Sequence, residues 1–107
     1  MELFDPKKEK YITKGIDAEI PVDYQIKILN SIENWRQQKI KLDYLQVFKL
    51  SVEKDCEGKN VQVILHSQEI PEHSEKIKFQ IEDEGIETKI FVIDNDDFCT
   101  MLLSTEY

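Results

Sequence analysis

The sequence has few cysteines, glycines and prolines, and it contains no long apolar run. Of its 107 residues, two are cysteine, three are glycine and three are proline. Two cysteines are too few for the disulfide framework of a small secreted domain, which favours a reducing compartment. The longest apolar run, residues 90–93, is far short of the roughly 20 residues that a membrane-spanning helix needs. We therefore predict a cytoplasmic protein with no membrane span and no targeting segment.

Basic residues are scarce relative to acidic ones. The chain has 14 Lys and Arg against 22 Asp and Glu, which gives a net charge of −8. Nucleic acids and anionic membranes are bound through a surplus of basic residues, so we expect neither as a partner. The hydrophobic fraction of 40% is typical of a globular chain. The length indicates one domain over residues 1–107, with the polar residues 1–9 flexible.

One segment has helical periodicity. Pro21 suits the first helical position, and Asp23 places a negative charge in the first turn. The apolar residues that follow recur every three or four positions. They are Val22, Ile26, Ile28, Leu29, Ile32 and Trp35. We predict an amphipathic helix over residues 21–39.

The rest of the chain alternates apolar and polar residues, which is typical of strands. The predicted strands are residues 10–16, 43–53, 61–68, 76–82 and 88–94, while residues 98–103 could form a strand or a helical turn. This pattern predicts an α+β fold in which one amphipathic helix packs on a mainly antiparallel sheet of four to six strands.

Two glycine turns, Glu57-Gly58 and Glu84-Gly85, separate these strands, because glycine accepts a positive φ. An even-length loop at Gly58 pairs Leu50 with Leu65, and a hairpin at Gly85 pairs Phe79 with Ile90. In both predicted hairpins, the register pairs apolar residues with apolar residues. The helix would then cover one face of the sheet.

The second face of this predicted sheet also carries large apolar residues. They are Leu45, Val47, Ile64, Phe91 and Ile93. Burying each is worth roughly 1.5–3 kcal/mol, so we expect something to cover them. One alternative is the chain itself, through its first strand or residues 98–103 folding across. The other is a homodimer or a different protein partner, with the second face or a strand edge as the interaction surface.

A rival hypothesis is a small-ligand binder or an enzyme. Gln46, Lys49, His66 and Gln68 fall on or beside the second face in the predicted register, where they could form a polar site. No catalytic, cofactor-binding or metal-binding residue is assigned, because the chain has no phosphate-binding loop and no close pair of metal ligands. Both cysteines adjoin acidic residues, which raise a thiol pKa. We therefore favour a non-enzymatic interaction or structural module. A third hypothesis is an acidic decoy that mimics nucleic acid.

Several short strings resemble one known family. They lie at residues 11–16, 20–21, 42–48, 68–71, 90–94 and 100–103. The most specific is Asp-Tyr-Leu-Gln-Val-Phe at residues 43–48. Together the strings resemble a family of small uncharacterised proteins from Gram-positive bacteria and their mobile elements, known as domain of unknown function 960. The resemblance implies a small, soluble, cytoplasmic bacterial protein, and it implies no activity, cofactor or catalytic residue.

Overall fold

Six strands form one mixed sheet in the computed structural model, which describes residues 2–107. In chain order the elements are β1 (Glu9–Ile12), α1 (Lys14–Glu19), α2 (Val22–Gln37), β2 (Leu45–Lys54), β3 (Asn60–Gln68), β4 (His73–Gln80), β5 (Thr88–Asp94), β6 (Phe98–Leu103) and a 3₁₀ turn (Ser104–Glu106). The spatial order is β1-β6-β5-β2-β3-β4, and the β1–β6 pair is parallel. The α+β class is confirmed, with six strands and one main helix.

The main helix, α2, buries only part of the apolar stripe that the sequence predicts, namely Ile28, Ile32 and Trp35. Its core-facing residues are Tyr24, Ile28, Ser31, Ile32 and Trp35. Val22 and Ile26, in contrast, are 68% and 52% exposed. The apolar residues of this helix span a wider arc than one neighbour can cover, so packing against the sheet decides which part is buried.

The predicted first strand, residues 10–16, ends early because Thr13 starts a helix instead. The Thr13 hydroxyl accepts a hydrogen bond from the Ile16 amide (3.3 Å), which caps α1. The Glu106 carboxylate binds both the Thr13 hydroxyl (2.6 Å) and the Gly15 amide (3.2 Å). Residues 14–19 are therefore helical, and α1 buries Ile16 completely.

The β2–β3 hairpin has an odd-length turn, so its register differs by one residue from the prediction. Lys54 pairs with Asn60, which leaves residues 55–59 in the turn. The Asp55 side chain accepts hydrogen bonds from the amides of residues 57 and 59, both at 2.9 Å. Gly58 has the expected positive φ (78°). Leu50 pairs with Ile64 rather than with Leu65, and every side chain of β3 therefore moves to the opposite face.

The predicted hairpin at Gly85 is wrong, because β4 pairs with β3 and β5 lies on the other side of β2. The connection passes so close to the sheet that a Cβ on Gly85 would come within 2.6 Å of Val52. Gln62 holds this connection. Its side-chain oxygen accepts from the Ile86 amide (2.8 Å), and its side-chain nitrogen donates to the Ile86 carbonyl (2.9 Å).

The two helices cover one side of the sheet, and we call the other side the open face. Ile16, Ile28 and Trp35 share one buried cluster with Phe48 and residues beside it on the sheet. The shortest dimension of the molecule is 21 Å, which fits two layers, whereas a third would add about 10 Å. Strands β1 and β6 extend the edge of the sheet, so the alternative in which one of them folds across the second face is wrong.

Candidate functional site

Three of the four residues of the predicted polar site lie together, but inside the core. Gln46, His66 and Gln68 occupy the helix side of β2 and β3, where each is at most 3% exposed. His66 pairs with Phe48 across the strands. Lys49 points to the open face and is exposed, so the structure does not bring it to the other three.

The buried residues form a chain of hydrogen bonds from α2 to the loop before β2. The Ser31 hydroxyl lies 2.7 Å from Nδ1 of His66, and Nε2 of His66 lies 2.6 Å from Oε1 of Gln46. The Gln46 amide nitrogen donates to Oε1 of Gln68 and to the Asp43 carbonyl, both at 2.8 Å. Because Gln46 uses its nitrogen there, its oxygen must accept from His66. Nε2 therefore carries the proton, and Nδ1 accepts from Ser31.

The His66 ring is sandwiched between two aromatic rings. It stacks on Trp35 with centroids 3.6 Å apart and on Phe48 with centroids 4.2 Å apart. Burial lowers the pKa of His66 to about 3, with a smaller contribution from His73. So weak a base cannot take a proton from the Ser31 hydroxyl, and both ring nitrogens are already bonded. The cluster is therefore a structural network and leaves no room for a substrate.

A second buried polar group lies where the end of β5, the start of β6 and the segment before β1 meet. The Lys8 ammonium contacts both carboxylate oxygens of Asp94, at 2.8 and 3.0 Å. The Cys99 thiol donates to the same carboxylate (3.1 Å), and burial together with this bond raises the pKa of Cys99 to about 12. Cys99 is thus held as a thiol and is not an activated nucleophile. Within residues 2–107, no three His, Cys, Asp or Glu side chains could hold a metal ion together.

An apolar cavity of about 300 Å³ lies between the N-terminal segment, α2 and β6. Its lining is Phe4, Pro6, Lys10, Ile26, Leu29, Asn30, Ile32, Glu33 and Cys99. None of the four residues of the predicted polar site contributes to it. No sequence pattern predicts this cavity, because it depends on Phe4 of the polar N-terminal segment packing into the core.

The open face carries the remaining predicted residues. Leu45, Val47, Phe91 and Ile93 lie there and are partly buried, whereas Ile64 is fully buried on the helix side. The register also places Val61, Val63 and Leu65 of β3 and Phe98 and Leu102 of β6 on the open face, where Val63 and Leu102 are buried. The Tyr107 ring packs edge-on against Phe91 with centroids 5.5 Å apart. The β3 residues were not predicted here because the predicted β3 register was one residue out, and the β6 residues because residues 98–103 had no predicted place in the sheet.

Lysines run across the same face beside this apolar cluster. Lys76, Leu65, Lys49 and Lys89 are successive cross-strand neighbours on β4, β3, β2 and β5. We call these three lysines the lysine row. Lys78 lies one pair further along β4, and its ammonium is 2.7 Å from the Glu53 carboxylate. That hydrogen bond lowers the pKa of Glu53. The alternating lysines of β4 and the single lysine of β5 were visible in the sequence, but only the strand order aligns them with Lys49.

Comparison with known proteins agrees with the resemblance. The family model described as "Staphylococcal protein of unknown function (DUF960)" matches residues 9–106. The chain belongs to this family. A search of curated proteins finds no match.

A solved structure supports the fold of this DUF960 chain. It is described as the crystal structure of the protein of unknown function from Enterococcus faecalis. The match has a TM-score of 0.74 at 24% sequence identity, and it covers 100% of this chain and 97% of the other. At this identity the likeness shows the fold alone. No helix within residues 2–107 of the DUF960 chain is long and apolar enough to cross a membrane.

Proposed function

We propose that this DUF960 protein is a non-enzymatic interaction module whose open face binds another protein. The observation that carries the proposal is the apolar cluster of β2, β3, β5 and β6 on a sheet face that neither helix covers. Apolar clusters of this kind on small proteins are typical of protein-binding surfaces. Cross-strand aromatic and aliphatic residues such as Phe91 and Val47 would supply the buried anchors of such an interface.

The chemistry of the other groups supports a binding role over catalysis. His66 has no free ring nitrogen and a strongly lowered pKa, and Cys99 has a strongly raised one. Lys49 and His66 lie on opposite sides of the sheet, so they cannot form the joint polar site that a ligand binder there would need. Nothing in this arrangement combines a reactive group with an open cleft.

Site-specific photocrosslinking in the bacterium that encodes the protein tests the proposal. A photoreactive amino acid replaces Val47 in one strain and Asn34, an exposed residue on α2, in the control strain. We expect discrete protein adducts from position 47 and none of the same mass from position 34. Urea denaturation of both purified variants checks that they are folded.

Three outcomes of this experiment would count against the proposal. They are the absence of adducts at position 47, identical adducts at both positions, and adducts that contain nucleic acid. An adduct of twice the mass of the chain would instead identify the bound protein as a second copy.

A further inference from the structure

We infer that the partner of the open face is a different, acidic protein, whose carboxylates meet the lysine row while its apolar side chains cover Val47 and Phe91. This inference rests on the proposed function and specifies the chemistry of the partner. It starts from an unfavourable feature of the free sheet. Lys49 and Lys89 are directly opposed on neighbouring strands.

Like charges in this position destabilise a sheet, because their Cβ atoms lie only about 5 Å apart. No carboxylate of residues 2–107 lies within 4 Å of the ammonium of Lys49, Lys76 or Lys89. The free protein thus holds three neighbouring lysines without an ion pair. A carboxylate supplied by a partner would relieve the repulsion and gain a charge-assisted hydrogen bond.

The charges of the molecule are also segregated. The strands present four lysines on the open face, the lysine row and Lys78, against two acidic residues. Both acids are engaged, since Glu53 binds Lys78 and Glu9 accepts from the Tyr11 hydroxyl. The strand residues of the open face therefore carry a net positive charge, although the whole chain carries −8. An acidic surface on the partner would be drawn to this face rather than to the rest of the molecule.

The same segregation disfavours two other occupants. A symmetric dimer that packed open face on open face would bring two sets of unpaired lysines into one interface without supplying carboxylates for them. A nucleic acid would meet one positive face, but its long polyphosphate would be repelled by the remainder of the chain, which is more negative than −8. A short acidic segment of a protein avoids both costs.

The dimensions of the lysine row suggest the form of that segment. The row crosses from β4 to β5, which is three strand spacings or about 14 Å. The cross-strand pair Val47–Phe91 lies two residues from the pair Lys49–Lys89, which is about 7 Å along the strands. An amphipathic helix of about three turns is some 15 Å long and presents acidic and apolar side chains in parallel rows at this scale.

Three synthetic helical peptides test the inference. Each has 18 residues with leucines at the same positions, and the polar positions are all Glu, all Gln or all Lys. They are titrated into the ¹⁵N-labelled full chain, and amide shifts report both affinity and location. We expect the Glu peptide to bind at least tenfold more tightly than the Gln peptide, with shifts at Lys49, Lys89 and Val47. Raising the salt concentration should weaken the Glu peptide selectively.

Matched variants identify the charges responsible. The double variant Lys49→Gln, Lys89→Gln should bind the Glu peptide no better than the Gln peptide. The control is Lys14→Gln, Lys41→Gln, which removes two exposed lysines outside the strands and should leave the affinity within twofold. Because the first variant also removes an opposed pair of like charges, its urea midpoint should equal or exceed that of the wild type.

Each alternative result has a definite meaning. If the Glu and Gln peptides bind the open face equally, the charge inference falls and the proposed function stands. If none of the peptides shifts open-face amides at millimolar concentration, or if the Lys peptide binds as well as the Glu peptide, the inference is wrong. Tighter binding of a thymidine 15-mer to the same face would favour nucleic acid instead. If the wild type sediments as a dimer and the Val47→Glu variant as a monomer, the occupant of the open face would be a second copy of the chain.

Discussion

Mild acid is expected to destabilise this protein through His66. The ordinary pKa of the imidazole is 6.5, and burial lowers it to about 3 in the folded chain. Between these two values the unfolded chain binds one more proton than the folded one, so stability rises with pH. The stabilising contribution is therefore complete above pH 6.5 and is lost as the pH falls from there towards 3.

The expected loss follows from the width of this window. Each pH unit below 6.5 costs about 1.4 kcal/mol, so a change from pH 7 to pH 5 should lower the free energy of unfolding by about 2 kcal/mol. His66 is fully buried between Trp35 and Phe48 and bonded at both nitrogens. A second proton on the ring would have to displace the hydrogen bond that Nδ1 accepts from Ser31.

Urea denaturation at pH 7 and pH 5 measures the effect. The fluorescence of Trp35, the sole tryptophan, reports unfolding and lies directly against His66. His66→Gln is the matched control, because paired carboxylates such as Glu33 and Glu53 titrate identically in both proteins. We expect the wild type to lose about 2 kcal/mol more than the variant between the two pH values.

Equal losses in the two proteins, within about 0.5 kcal/mol, would refute the argument. If His66→Gln does not fold, long-range ¹⁵N spectra of the wild type give an independent answer. The ring should stay neutral and protonated at Nε2 down to pH 4. A ring that gains its second proton near pH 6 would show that burial does not control its pKa.

Two further predictions concern glycine and cysteine. Gly85→Ala should lower the free energy of unfolding by about 2–4 kcal/mol, since it combines positive-φ strain with a close contact. Gly58→Ala has the strain but open space around it, so it should cost only about 1 kcal/mol; equal costs by urea denaturation would contradict the close contact at Gly85. A thiol reagent at pH 8 should label exposed Cys56 in the native protein and Cys99 only after unfolding. Two labels on the native chain in mass spectrometry would contradict the buried, high-pKa thiol.

Local patterns predicted the elements of this fold better than their partners. The helix and the strands were found where periodicity was strong, and Gly58 does occupy a turn. The register of that hairpin depended on the Asp55 side chain, which binds two turn amides and fixes an odd loop length. The end of β1 depended on Glu106, a residue distant in the chain. Such contacts leave no periodic signal in a single sequence.

The candidate site was predictable to the extent that it depends on alternation alone. Leu45, Val47, Phe91 and Ile93 lie on the open face because β2 and β5 alternate regularly. Ile64 was misplaced, since a one-residue shift exchanges the two faces of β3. The same shift moved His66 from the surface into the core, where its pKa and its partners are those of a structural residue. Which lysines become neighbours required the order of the strands.

The parallel pairing of β1 with β6 has a consequence for the folding kinetics. Glu9 pairs with Phe98, and residues about 90 positions apart must therefore meet before this edge of the sheet exists. Loop closure over such a separation is slow. Its entropic cost is offset only after the intervening strands are in place. The β2–β3 hairpin, whose contacts are local, can form first, and we expect the β1–β6 edge to form late. Substitutions at Tyr11 or Phe98 should then accelerate unfolding while leaving the rate of refolding nearly unchanged.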